Sequence, residues 1–261
     1  MTSMPLSPEH RLQLSQAKAL LENPGLAVKI SSLIGTPIEK GFELLPTGWR
    51  DKVGSATRDA LDYALRAALL TMNSRADEAH PRWHKFASAV SGATGGAFGL
   101  PALVVELPVS TTIICRSIAD IARANGETLD DMSVRMACLE VFALGGPSRA
   151  DDAAESGYFA VRAALAQAVS EAGRYLATHA SVQESAPAVV RLISLIAARF
   201  QIQVSQKAAA QAVPIIGAAA GAIINLMFID HFQDMSRGHF TVRRLERIYG
   251  AQPVRAAYDD V

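Results

Sequence analysis

The chain has 261 residues, enough to bury a sizeable core in one domain or two small ones. Hydrophobic residues make up 50% and charged residues 19%, with a mean hydropathy of +0.18, so the chain is apolar for a soluble protein, and with aromatics at 6% much of that comes from alanine. Net charge is +0 and the pI near 7.0, so no basic field exists to draw in nucleic acid, and that class of partner is set aside.

Helix signals dominate and strand alternation is nearly absent. The first residues, with Pro5, Pro8, Glu9, His10 and Arg11, lack the apolar core of a secretory signal. Ser7, Pro8 and Glu9 form a helix start: a capping hydroxyl, proline in the first turn and an early acid facing the helix dipole. That helix stops at Asn23, Pro24 and Gly25, and a second reaches about Ile34. Thr36, Pro37, Ile38 and Glu39 read as a capping box opening a third helix, which Pro46 and Gly48 end.

A long amphipathic helix is predicted from Trp49 to Met72, with Leu61, Ala64, Leu65, Ala68 and Leu69 on its apolar stripe. A polar loop from Asn73 to Pro81 follows, and Trp83 and Phe86 then lead to a run containing Gly92, Gly95, Gly96 and Gly99. Glycine costs about 1 kcal/mol against alanine in a helix interior. The spacing of four between Gly92 and Gly96, and between Gly95 and Gly99, predicts a close helix–helix crossing; a membrane-inserted segment or a lid hinge is the functional alternative. Pro101 and Pro108 are expected to break the apolar stretch from Leu100 to Cys115. Asn125 and Gly126 form a helix stop, and Asp130 and Asp131 cap a nearly all-apolar helix from Ser133 to Leu144.

The polar segment Ser148 to Ala154 reads as an exposed loop before an alanine-rich helix ending at His179. Pro187 starts another that runs toward Lys207. No charge occurs between Ala208 and Ile229, and the part from Ala212 to Ile229 is long enough to reach across roughly 27 Å. Pro214 and Asn225 interrupt it, small residues fill its first half, and no aromatic belt follows, so it is predicted to be a central buried helix packed through Gly217 and Gly221 against the Gly92–Gly99 run. A short final helix carries Arg243 to Tyr249. The expected organisation is all-α: an N-terminal helical extension over 1–48, a helical domain over 49–250 and a loose tail over 251–261.

Signatures of phosphate loops, zinc peptidases and serine hydrolases are missing. Cys115 and Cys138 lie in apolar runs without metal-ligand spacing and read as small buried hydrophobes. Asp230, His231, Asp234 and His239 diverge around a helix, so no metal site and no cofactor is expected. What stands out is a set of isolated charges in apolar surroundings: Glu106, Arg116, Glu140 and Lys207, with Asn225 and His231 as further polar residues of the central helix. Burying one charge alone costs several kcal/mol, so these residues predict a polar cluster in which Glu140 pairs with Lys207 or Arg116. The cluster reads either as an ion-pair network that docks helices or as a polar site where Glu106, Glu140 and Lys207 are the candidates for acid–base work.

The run from Gly92 to Pro101, Glu106 with Pro108, Arg116 to Ala122 with Asn125 and Gly126, and Leu139 to Phe142 occur in an order that resembles the EcsC protein family. The resemblance continues through Lys207, Pro214 to Gly217, Gly221, Asn225, Phe240 and Arg243 to Leu245, covering roughly residues 50 to 250. It implies a bacterial helical protein and carries over no catalytic residue. The family takes its name from a protein encoded beside an ABC transporter, which implies work at or near a membrane. The expectation is therefore a cytoplasmic protein at the inner face of the cytoplasmic membrane, non-enzymatic, handling lipid or a small ligand or contacting a membrane-protein partner. A hydrolase with a buried Glu/Lys site and a protein–protein scaffold are the alternatives.

Overall fold

The computed structural model describes residues 5–22, 25–35, 37–71, 100–146, 157–179, 186–213 and 218–261. Among them the protein is all-α: α1 (Pro8–Glu22), α2 (Leu26–Ile34), α3 (Ile38–Glu43), α4 (Trp49–Thr71), α5 (Leu100–Ala124), α6 (Met132–Glu140), α7 (Gly157–Thr178), α8 (Pro187–Ala212), α9 (Ala218–Tyr249) and α10 (Ala251–Asp260). A 3-10 turn, Val141–Ala143, follows α6 directly. The predicted loops Asn73–Pro81 and Ser148–Ala154, the run Gly92–Gly99, Pro214 and Gly217 lie outside the described residues.

Local chemistry sets several of the boundaries. Ser7 Oγ accepts from the His10 amide at 3.2 Å, capping α1 as predicted. The Asp131 carboxylate accepts from the Ser133 amide at 2.8 Å and starts α6. After α5 the chain turns at Gly126, whose φ of 77° is left-handed, while the Glu127 amide donates back to the Ala122 carbonyl at 3.1 Å.

Several expectations are corrected. Thr36, the capping hydroxyl of the predicted box, lies outside the described residues; Pro37 precedes the helix, and the Ile38 amide donates to Ser31 Oγ at 3.1 Å. Pro101 and Pro108 do not break the chain, since α5 runs through both. Pro101 sits in the first turn, where an amide has no helical partner anyway, and Pro108 is tolerated because packing of the surrounding apolar face outweighs its missing hydrogen bond. The helix predicted from Ser133 to Leu144 gives way to the 3-10 turn after Glu140. The short terminal helix is part of α9, which continues through Gly238 to Tyr249. The segment after Gly250 is not loose: it forms α10, which buries Val254, Ala257 and Tyr258. Lys18 of α1 ties its end down, donating to the carbonyls of Tyr258 at 2.8 Å and Val261 at 2.9 Å.

The two long helices α8 and α9 occupy the middle. α3, α4 and α7 lie against α8, while α1, α5 and α10 lie against α9, so the N-terminal helices belong to the same packed body rather than to an appendage. Phe142, Phe200, Phe228 and Phe232 meet between α8, α9 and the 3-10 turn, with ring centroids 5.0 to 6.0 Å apart and every ring buried. A second aromatic cluster, Tyr158, Phe159 and Tyr258, joins α7 to α10.

Gly238 explains how α1 reaches α9. A Cβ there would lie 2.6 Å from Leu21 Cγ and 3.0 Å from the Ala17 carbonyl oxygen, so the two backbones meet at this point. Gly238→Ala is expected to overpack the crossing and lower stability by about 1–3 kcal/mol, read as a fall in thermal midpoint with early release of α1. A variant as stable as the parent would show that α1 does not sit on α9.

Candidate functional site

Three helices each bring one polar side chain to a common point. Glu106 comes from α5, Lys207 from α8 and Asn225 from α9. Lys207 sits among Ala208, Ala209 and Ala210, and none of the four is accessible to solvent. Its ammonium donates to Glu106 Oε1 at 2.9 Å, to Glu106 Oε2 at 3.1 Å and to Asn225 Oδ1 at 2.8 Å. The same nitrogen stands 4.9 Å from the centre of the Phe228 ring. An ammonium has three N–H bonds, and all three are used. The arrangement is a closed buried ion pair that locks three helices in register, with neither a free lone pair for nucleophilic attack nor a free proton to donate.

A second polar site behaves differently. Glu140 ends α6 with 5% of its surface exposed, and no hydrogen bond or ion pair joins its carboxyl to another described residue. Burial pushes that carboxyl up from the ordinary 4.5 to about 7. Nearby Arg162 and Arg243 pull the value back, and Glu246 pushes it further up. The two arginines are already engaged. Arg162 of α7 makes a bidentate pair with Glu246 of α9 at 2.8 and 3.0 Å. Arg243 donates to Glu127 at 2.8 Å, and Arg247 reaches the same carboxylate.

Behind Arg162 the wall is aromatic and rigid. Its guanidinium lies 5.4 Å from the Tyr158 ring centre, and the Tyr158 hydroxyl is 3.1 Å from His239 Nδ1. Burial holds His239 well below the ordinary 6.5, with Arg162 and Arg243 acting in the same direction, so its ring is neutral. In front of Glu140 a cavity of about 540 Å³ opens between α6, α7, α9 and α10. Glu140, Arg162, Arg174, Arg243, Glu246 and Arg255 line it, together with Phe159 and small residues of α7. A second depression, between α7 and α8, is lined by Arg174, Tyr175 and Arg191 and is more open.

A family model described as the EcsC protein family matches residues 10–245. The chain belongs to the EcsC protein family. Comparison with curated proteins and with solved structures gave no match. The EcsC match takes in the N-terminal helices that the motif comparison left aside, and it covers Glu106, Glu140, Arg162, Lys207, Asn225 and Arg243.

Of the polar residues singled out in the sequence, Glu106, Lys207 and Asn225 come together. Arg116 does not join them: it is exposed on α5. Glu140 does not pair with Lys207, whose three protons are taken by Glu106 and Asn225, and it faces the arginine-lined cavity instead. His231 is also elsewhere, buried against Phe232 with ring centroids 5.0 Å apart and beneath Gly145. Gly145 has a φ of 70°, and a Cβ there would lie 2.7 Å from both His231 Nε2 and Met235 Sδ. Burial lowers His231 to about 4, so it too is neutral. Gly221 is buried near the start of α9, whereas Gly92, Gly95, Gly96, Gly99 and Gly217 lie outside the described residues. Cys115 and Cys138 are free, buried thiols, and burial pushes Cys115 up to about 12.

Arg162, Arg174, Glu246 and Arg255 had no sequence signal of their own, because each sits on a helix with an ordinary polar face. Arg243 and Glu246 share a face of α9, one turn apart, which is the nearest thing to a signal. Among the described residues one helix, α8, is long and apolar enough to cross a membrane. It carries Lys207 and packs against α3, α4 and α7, which makes it the core helix of this EcsC-family fold.

Removing one partner of a buried ion pair costs roughly 3–5 kcal/mol. Glu106→Ala should therefore lower the thermal midpoint far more than Asp59→Ala on the exposed side of α4. The double change Glu106→Leu with Lys207→Met should recover most of that loss, and a loss as large as the single variant's would refute the closed pair. Glu140 predicts a pH effect. Its folded value, about 7, lies above the ordinary 4.5, so its stabilisation is complete below 4.5 and is lost as pH rises through 7. Compared with Glu140→Gln, the parent chain should lose stability on the order of 3 kcal/mol between pH 4.5 and 8. Parallel pH profiles for the two proteins would mean that the carboxyl is solvated.

Proposed function

We propose that this EcsC-family protein is a non-enzymatic helical protein that binds a small anionic molecule or lipid headgroup in the cavity between α6, α7, α9 and α10. The observation that carries the reading is the Glu140 carboxyl: nine-tenths buried, without a hydrogen-bond partner, and opening on a cavity lined by four arginines. Its oxygens are not sealed off but open on the cavity, so an entering ligand can reach a largely buried carboxyl that no protein donor holds, and such groups collect at functional sites. The cavity volume is within the range of small-molecule sites. Its lining combines apolar surface with a few convergent charges, which is how such sites orient a ligand.

The hydrolase alternative sets Glu106 or Glu140 beside Lys207: Glu140 does not meet the lysine, and Glu106 meets it in a buried ion pair that opens on neither cavity described above. Lys207 does not line the Glu140 cavity, and its ammonium is saturated. Peripheral membrane contact is a second reading, favoured by apolar side chains that face outward around the Lys207 lock. Val105 and Val109 of α5, on either side of Glu106, are 77% and 53% exposed, and Ile223 of α9, close to Asn225, is 42% exposed. A place at the inner face of the cytoplasmic membrane fits that surface and a lipid-derived ligand.

Native mass spectrometry of the gently purified chain tests the binding reading. The expected result is a retained anionic molecule that Glu140→Leu or Arg174→Ala releases while the helical content stays unchanged. A parent chain that carries no anionic molecule, and takes none up from a panel of phosphates, carboxylates and lipids, would overturn it.

A further inference from the structure

We infer that the Glu140 cavity takes a hydroxylated phosphate ester, of the kind found in glycerol phosphate or in the glycerophosphate head of a lipid; this rests on the ligand-binding reading above. Shape comes first. α7 lines the cavity from Phe159 to Ala177, so the site is a groove along most of one helix face. Its floor is made of Ala163, Ala166, Ser170 and Ala177, all exposed. Gly173 brings α7 against α6, with Ser133 Cα 3.4 Å from where a Cβ would stand. These small residues leave the groove unfilled by the protein's own side chains.

Charge comes second. The groove carries arginines along its length, Arg255 and Arg162 toward one end and Arg174 at the other. Arg174 is exposed, and its recorded contact is a long bond from Nε to the Ser170 carbonyl at 3.4 Å, with no carboxylate partner among the described residues. A planar guanidinium with unused N–H bonds matches a phosphate. Asp131, Glu140 and Glu246 stand in the same lining, and Arg162 and Arg243 are held by carboxylates, so the pull on an anion is local to the Arg174 end rather than a field of the whole groove.

The third element is Glu140. It is a buried acceptor beside Arg162 and Arg243, both of which are committed to other carboxylates. No further cation is needed to approach it, and no protein side chain donates to its oxygens, which open on the cavity. A hydroxyl on the ligand supplies one without adding positive charge. A bare anion would serve the arginines and leave Glu140 unsatisfied, with two like charges close together. An ester bearing both phosphate and hydroxyl satisfies both ends of this arrangement, and the apolar floor accommodates an acyl chain where the ester is part of a lipid.

The test is calorimetric titration of the full chain with glycerol 3-phosphate, inorganic phosphate and lysophosphatidylglycerol below its micelle concentration. At least one of the two esters should bind about tenfold more tightly than inorganic phosphate. Preference for the lysolipid supports a lipid source, preference for glycerol 3-phosphate a soluble one, and either supports the inference. Glu140→Leu removes a largely buried acid that no protein donor holds, so it should melt no lower than the parent, yet lose about tenfold in ester affinity while phosphate, relieved of a like charge, binds no more weakly. Arg174→Ala should weaken all three probes. If phosphate binds as well as the esters, and Glu140→Leu changes neither, the site is a plain anion site: this inference falls and the ligand-binding reading stands. If neither ester binds, the inference falls whatever the native mass spectra show.

Discussion

An ammonium group in the middle of an apolar core is the constraint on which this structure depends. Lys207 is completely buried on the face of α8 that packs into the core, although other positions of the same helix are exposed. Its charge is sustained because Glu106 and Asn225 supply three acceptors at hydrogen-bonding distance. Those acceptors come from α5 and α9, so the bond set specifies how three helices stand along and around one another. Hydrophobic packing alone specifies such register weakly, since alanine-rich faces slide with little change in contact area. The alanines around Lys207 let the backbones come close enough for short side chains to complete the shell, and Phe228 closes it from the side.

Among the described residues the fold buries two acids, with opposite outcomes. Glu106 is spent on Lys207, which makes its site static. Glu140 is left without a donor beside arginines that already have partners, and its site opens outward. Tyr158, His239 and the Arg162–Glu246 pair form a stiff wall behind it, so the carboxyl cannot relieve its burial by moving toward a new neighbour. A carboxyl that no protein donor holds and that opens on a cavity is free to accept from a ligand, and this difference from Glu106 directs the proposed function to the α6–α7–α9–α10 groove rather than to the lysine.

Much of the fold could be read from the sequence because it is written locally. Ser7, Asp131 and Gly126 act within a few residues of themselves, and their caps and stops are where the residue types place them. Pro108 and the segment after Gly250 were misjudged for the converse reason. Proline in a helix and a short polar tail are both unfavourable locally, and only packing between distant parts of the chain reverses that, as the bonds from Lys18 to the end of α10 illustrate. At the candidate site the charges in apolar runs were visible one by one, because a charge among alanines and leucines stands out. Which of them meet was not visible: Lys207 had three possible acids and bases for company, and the choice depends on the angular positions of α5, α6 and α8 about their axes. The arginines of the groove were hidden for a different reason, being normal residues on solvated faces of three helices until packing brings them to the lining of one cavity.

The contrast between a satisfied and an unsatisfied buried carboxyl can be measured directly. Carbon-13 NMR of the chain labelled at glutamate side-chain carboxyls, with Glu140→Gln to assign the resonance, reads the ionisation of Glu140 in the native state. The account predicts a titration midpoint of about 7, displaced when a hydroxylated phosphate ester is added. A midpoint near the ordinary 4.5 that no ester displaces would contradict it, since the carboxyl would then be solvated or paired and the groove would hold no unsatisfied acceptor.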